Sequence, residues 1–245
     1  MALCAHADTA DTAVPSTDGR RPSADSTVVI ETFDYPDQIG EFPSSWQGRT
    51  GWRQKQTKKK ADLYYTVQQE EDGNLFLRAA TQGRATNAGR PANINLRVRG
   101  GLRWRWRVHK LPTGASEMDE DKNDSAAAVR LVFKGRIVRK TLKYVWSASL
   151  PAGTETESPS SDNTKVIVLQ SGDRGLGKWV WQEVDAYADY KRLFGGEPRI
   201  VEAVAVITDS DNTGEPVMAD YDDIMFFIPP ANRSEDAGGP QEDAQ

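Results

Sequence analysis

The 245-residue sequence has one cysteine, Cys4, and two histidines, His6 and His109. A single thiol excludes an intramolecular disulfide framework and a cysteine-based zinc site, and two histidines are too few for a multi-histidine metal centre. They also leave a Ser-His-Asp triad without a well-placed base, since His6 lies in a polar leader and His109 at the end of an alternating segment. No run approaches the eighteen or so apolar residues of a membrane-spanning helix, so no membrane span is expected. Helical spacing is nearly absent: Ala186 to Phe194, AYADYKRLF, is the one good case, with Tyr187, Tyr190, Leu193 and Phe194 on one side. Gly195-Gly196 ends it, as glycine commonly does.

What is present is aromatic and alternating, with seven Trp, seven Tyr and seven Phe. In Gly101 to Val108, GLRWRWRV, Leu102, Trp104, Trp106 and Val108 fall on one parity and Arg103, Arg105 and Arg107 on the other. Strict alternation places successive side chains on opposite faces of a strand. One face is then large and apolar, and at roughly 25 cal/mol per Å² it needs a second layer over it. Further strands are predicted over Val28 to Phe33, Leu63 to Gln68, Asn74 to Ala80, Ile94 to Val98, Ala126 to Lys134, Leu142 to Ser147, Lys165 to Gln170, Trp179 to Val184, Ile200 to Thr208 and Ala219 to Ile228. Pro112 to Asp124 and Pro151 to Thr164 read as long polar loops. The absence of βαβ alternation makes the expected fold all-β, a two-sheet antiparallel β-sandwich of jelly-roll type with one short helix; a barrel of eight to ten strands is the alternative.

Residues 1–26 read as a flexible polar leader, 27–230 as the sandwich domain and 231–245 as a disordered acidic tail. The leader contains Ala5-His6-Ala7, a pattern of the kind that precedes signal cleavage, after only a few apolar residues. Two readings stand: a plain tail, and the remnant of a signal peptide, which implies a periplasmic or secreted protein. The net charge of −5 hides an asymmetry, because Arg49 to Lys110 holds fifteen Lys or Arg against four acids, a local net of +11. That separation is either a mixed-charge surface or a face for an anionic ligand. An acidic chain without nucleic-acid motifs speaks against nucleic acid as a partner.

The segments GGLRWRWRV, KNDSAAAVRLVF, LKYVWSASLPAG, LQSGDRGLGKWVWQEVDAYADYKRLFG and AVAVITDSDNTGEPVMADYDDIMFF resemble the bacterial domain-of-unknown-function family DUF3047, in the same order and spacing, over roughly Val28 to Ile228. That resemblance brings no activity or catalytic residue with it. A first strand with an acid-Phe-acid ending, a tryptophan strand leading into a short helix, and a last strand reading Tyr-Asp-Asp-Ile also look like jelly-roll carbohydrate-binding modules. In such modules the first and last strands are neighbours whose acids commonly hold a structural calcium. The resemblance implies Glu31 or Asp34 with Asp222 or Asp223 for that role here.

Candidate chemistry is sparse. Asp209, Asp211, Asn212, Asp220, Asp222 and Asp223 form the densest set of oxygen ligands; calcium would suit them, and so would turn capping by their side chains. Asp119, Glu120, Asp121 and Asp124 could include a carboxylate pair for glycoside hydrolysis, or could pair with Arg103, Arg105 or Arg107. Trp104, Trp106, Trp146 and one of Trp179 or Trp181 have core parity. Trp46, Trp52 and Tyr144 are left to line a groove, and with Arg103, Arg105, Arg107 and Asp124 they make up the expected ligand-binding set. The leading functional expectation is an exported, non-catalytic module that binds carbohydrate or another polar cell-envelope ligand. A carboxylate-based glycan hydrolase or lyase is the alternative, and an envelope scaffold protein is the third reading.

Overall fold

A computed structural model describes residues 27–50, 54–55 and 64–230. The leader, the acidic tail and Trp52 lie outside them. The strands in chain order are β1 (Thr27–Glu31), β2 (Gln47–Thr50), β3 (Gln54–Lys55), β4 (Tyr65–Gln69), β5 (Leu75–Gln82), β6 (Ala85–Ile94), β7 (Gly101–Lys110), β8 (Ala127–Phe133), β9 (Lys140–Ser147), β10 (Glu155–Ser158), β11 (Ser161–Ser171), β12 (Val180–Asp185), β13 (Val201–Asp209) and β14 (Pro216–Phe227). A helix, α1 (Ala186–Phe194), follows β12. Six strands form one sheet in the order β12-β7-β14-β5-β4, with β1 also paired to β14; eight form the other, β10-β11-β9-β8-β13-β6-β2-β3. The sheets do not join, so the sandwich holds and the barrel does not. Pairing is antiparallel throughout except between β9 and β11, which run parallel.

The alternation of β7 puts Trp104 and Trp106 between the sheets with no exposed surface. They meet edge to face at 5.3 Å, and each faces an aromatic of the opposite sheet: Trp104 lies 5.6 Å from Tyr144, and Trp106 lies 6.1 Å from Trp146. Tyr65, Phe33, Phe133, Tyr221 and Phe226 are likewise almost wholly buried. The α1 helix packs on the end of this core through Tyr190, 4.5 Å from Phe133. Its N-terminus is capped by Asp185, which accepts from the Ala188 N–H at 2.9 Å.

Apart from the short pair β2 and β3, which no expected strand covers, two elements depart from the sequence expectation. The strand predicted over Ile94 to Val98 instead ends at Ile94, and the preceding Ala85–Ile94 forms β6. Gly89 and Pro91 concealed that strand. A Cβ on Gly89 would stand 3.0 Å from Ala205 Cβ and Val204 O, so glycine lets β13 approach, and Pro91 sits where the β13 register shifts. The polar segment Pro151 to Thr164 contains β10 and the start of β11, a hairpin at the sheet edge.

Candidate functional site

The outward side of the six-stranded sheet carries Arg103, Arg105, Arg107 and His109 from β7. Beside them, β14 alternates in the same way. Asp220 pairs in register with Arg107 and Asp222 with Arg105, while Ala219 and Tyr221 turn inward with the tryptophans. After Asp222 the register shifts, and Asp223 takes a left-handed φ of 53°. This bulge changes the parity of the strand, so Ile224 and Phe226 are the residues without exposed surface beyond it. Consecutive carboxylates can therefore serve one guanidinium: Arg105 reaches Asp222 Oδ2 at 2.6 Å and Asp223 Oδ2 at 3.0 Å.

Asp220 is the hub. Its carboxylate accepts from Arg78 Nε at 2.8 Å and pairs with Arg107 at 2.8 Å, and His109 Nε2 lies 2.6 Å from its Oδ2. Burial alone would raise this carboxyl, but the hydrogen bonds from His109 and Arg78 outweigh it and hold it below the ordinary range. At Asp222 the balance goes the other way. Burial, then repulsion from Asp223, pushes it up to about 7 against the pull of Arg105. Glu70, from the β4–β5 hairpin, accepts from Arg107 at 2.6 Å and from Trp179 Nε1 at 3.0 Å. Arg103 has Glu183 at 3.7 Å. The arginines are thus matched by Asp220, Asp222, Asp223, Glu70 and Glu183, and the cationic face suggested by β7 alone is close to charge-balanced. The loop acids Asp119, Glu120 and Asp121 take no part in these pairs; Asp119 accepts from the Asp121 N–H of its own turn.

Aromatic rings are interleaved with these ions. Arg103 stacks 4.2 Å from the centroid of Trp181, Arg105 and Arg107 lie 4.9 and 4.5 Å from Trp179, and Arg107 and Arg78 lie 5.1 and 5.3 Å from Phe76. Phe76 and Trp179 meet edge to face at 5.6 Å. The result is a row of alternating rings and guanidinium groups. Trp181 remains 41% exposed, the one large aromatic so exposed among the described residues.

The other predicted site residues lie elsewhere. Trp46 is buried and lines no groove; its Nε1 donates to Glu31 Oε2 at 2.7 Å. The same oxygen accepts from Arg90 at 2.7 Å, while Glu31 Oε1 takes the N–H groups of Thr32 and Phe33. Glu31 thus turns inward, neutralised by an arginine of the opposite sheet, and Asp34 is exposed. The first and last strands are indeed neighbours. Yet Glu31 and Asp34 do not converge with Asp222 and Asp223 on a common ion position, because β14 directs its acids to the outer face. Tyr144 is fully buried and donates to Asp189 at 2.9 Å. Asp124 is buried on the other sheet, its oxygens accepting the Asn212 and Thr213 N–H groups at 3.2 and 2.7 Å. Trp52 cannot be placed among the described residues.

Asp124 belongs to a second cluster. Its carboxylate and those of Asp209 and Asp211 come within 4.8 Å of one another. Burial first, and then Asp211 and Asp124, push Asp209 up to about 7 despite the positive charge of Lys143. Lys143 is itself buried, which lowers its pKa, and it donates to Ser125 Oγ at 3.0 Å.

Sequence reasoning missed Trp179 and Trp181, one of which was assigned to the core. Val180, Gln182 and Val184 hold the inward positions of β12 instead. It also missed the partnership of β7 with β14. The signal was present as two complementary alternations, Arg-x-Arg-x-Arg and Asp-x-Asp, whose inward residues are aromatic in both strands.

A family model described as "Protein of unknown function (DUF3047)" matches residues 50–225. No curated protein matches the sequence at a significant level. Among solved structures, a family 11 carbohydrate-binding module of a cellulosomal cellulase of Clostridium thermocellum aligns at 8% identity and a TM-score of 0.44, covering 84% of this chain and 97% of that one. A family 11 module from the same organism, in complex with a β-1,3-1,4-mixed-linked tetrasaccharide, aligns at 7% identity and 0.42, covering 84% and 98%. A family 11 xylanase from Neocallimastix patriciarum aligns at 9% identity and 0.40, covering 74% and 96%. No residue role is carried from these structures to this chain.

Proposed function

The chain belongs to the family of proteins of unknown function DUF3047, and from the outer face of its six-stranded sheet we propose that it is a non-catalytic binding module for a carbohydrate of low charge. The observation that carries this reading is Trp181, exposed on a sheet face and backed by the Arg103 guanidinium at 4.2 Å. An indole fixed in this way is a platform for a sugar ring, whose C–H face stacks on it at little cost in side-chain freedom. Around it, Glu183, Arg105, Asp223 and Asn74 supply donors and acceptors for hydroxyl groups. Their charges are matched within the face, which favours a polyhydroxylated ligand over a polyanion.

Export belongs to the same proposal, because a module for envelope glycans works in the periplasm or outside the cell. Fractionation of cells expressing the full gene, with a cytoplasmic marker as reference, tests that part. A glycan array probed with the purified chain tests the binding. Neutral oligosaccharides should be retained by the native protein and lost from Trp181→Ala, whose core is untouched. Retention that is equal in both proteins, or confined to sulfated and uronic glycans, would refute the assignment.

A further inference from the structure

One end of the sandwich gathers cations that the sheet face does not use. The ends of β6 and β8 and the start of β13 lie in register there, Val201 facing both Ile94 and Phe133, and Phe133 faces Lys140 at the start of β9. The chain reversals that leave these strands bring Arg97, Lys134, Arg136, Arg139, Lys140 and Arg199 to the same end. The acids paired with them are Glu197, bound to Arg97 at 3.0 Å, and Glu202, bound to Arg139. Lys140 lies over the rings of Tyr190 and Phe194. Among the described residues Lys134, Arg136 and Arg199 have no acidic partner. A concavity of about 380 Å³ is lined there by Asn95, Arg97, Lys134, Pro198, Arg199 and Ile200.

Beside the concavity stands the reversal between β8 and β9, Lys134 to Lys140, reading KGRIVRK. Its tip is apolar and presented to water: Ile137 is 93% exposed and Val138 55% exposed. The turn is tight, since a Cβ on Gly135 would stand 1.9 Å from Val138 O, and only glycine fits this closure. Two aliphatic side chains projecting between arginines cannot form a stable protein interface by themselves, which needs about 1,000 Å² or more. They suit insertion of about 5–10 Å into a headgroup region, with the surrounding cations left at phosphate level.

We propose that this end of the sandwich docks on an anionic phospholipid surface, with Ile137 and Val138 entering the bilayer interface and Lys134, Arg136 and Arg199 binding headgroup phosphates. The pairing of an apolar tip with a basic rim combines hydrophobic insertion with electrostatic attraction to anionic lipid. The proposal is independent of the glycan reading, which concerns the outer face of the six-stranded sheet.

The test is sedimentation of the full chain with vesicles of phosphatidylcholine alone and of phosphatidylcholine mixed with phosphatidylserine. The chain should pellet with the mixed vesicles and much less with the neutral ones, and added salt should release it. Each of Lys134→Glu, Arg136→Glu and Arg199→Glu should weaken pelleting by about fivefold or more, and Ile137→Ser with Val138→Ser by about tenfold or more. Trp181→Ala should pellet as the native chain does. Hydrogen exchange on the native chain gives a second reading that needs no variant: vesicles should protect residues 134 to 140. No pelleting with the anionic vesicles would overturn the proposal. So would pelleting undiminished by the Ile137 and Val138 changes, or retention on heparin without any pelleting, which would assign the patch to polyanions.

Discussion

Asp220 is fully buried beneath Arg107, whose guanidinium meets its carboxylate at 2.8 Å across the β7–β14 ladder. The same carboxylate serves Arg78 and His109, so one acid holds two guanidinium groups and an imidazole on the face that carries Trp181. Removing it would leave Arg78 partly buried without an acidic partner and Arg107 with Glu70 alone. Asp220→Asn should therefore destabilise the fold by about 3 kcal/mol, whereas Arg103→Ala, which breaks a 3.7 Å contact to half-exposed Glu183 and an exposed stacking contact with Trp181, should cost about 1 kcal/mol or less. Urea midpoints at constant m-value check both, and equal losses would show that Asp220 is not the hub.

The tryptophans should separate sharply. Trp104→Ala or Trp106→Ala empties a site between the sheets and should cost about 3 to 5 kcal/mol. Trp104→Phe should cost less, because its indole N–H has no acceptor to lose. Trp181→Ala should change stability by about 0.5 kcal/mol or less, as expected of an exposed position. Thermal melts of the set give the ranking; a large loss at Trp181 would mean that it holds the sheet together.

Stability should fall between mildly acidic and mildly alkaline pH. The Asp209 carboxyl is pushed up to about 7, chiefly by burial, while in the unfolded chain it titrates near about 3.9. Between those values the folded chain holds a proton that the unfolded chain has released. The contribution of this group is then complete below about pH 4 and is lost as pH rises through about 7. Asp222, also pushed up to about 7, acts with the same sign. Unfolding free energies measured at about pH 5 and about pH 8 should therefore differ less in Asp209→Asn than in the native chain. An unchanged difference would show that Asp209 is not the group that titrates.

Glu31 and Asp223 should behave as independent sites. Glu31 is held by Arg90 and Trp46 inside the sandwich, and Asp223 by Arg105 on its outer face. The double variant Glu31→Gln with Asp223→Asn should equal the sum of the single ones within about 0.5 kcal/mol. A coupling above about 1 kcal/mol would point to a shared partner such as the calcium ion that the sequence suggested.

The fold was readable where periodicity was undisturbed. The inward tryptophans of β7, the helix from Ala186 to Phe194 and its glycine stop, and the pairing of the first and last strands all follow from spacing or resemblance. β6 was hidden because Gly89 and Pro91 serve close packing and a register shift rather than alternation. The site was less readable, for two physical reasons. The bulge at Asp223 changes which residues of β14 face outward, which no period of two can reveal. The aspartate partners of Arg105 and Arg107 on β14 are more than a hundred residues away, while the loop acids nearer in sequence lie elsewhere. Trp46 and Tyr144 looked available because their alternation is weak or shared, yet both are buried with their polar atoms already bonded.

The most direct measurement is a titration of the indole N–H resonances of the purified chain with an oligosaccharide retained on the array. The Trp181 signal should shift and saturate with added sugar, while that of Trp46, locked on Glu31, should stay in place. Saturating shifts at other indoles with Trp181 unmoved would contradict the account and move the binding surface off the six-stranded sheet.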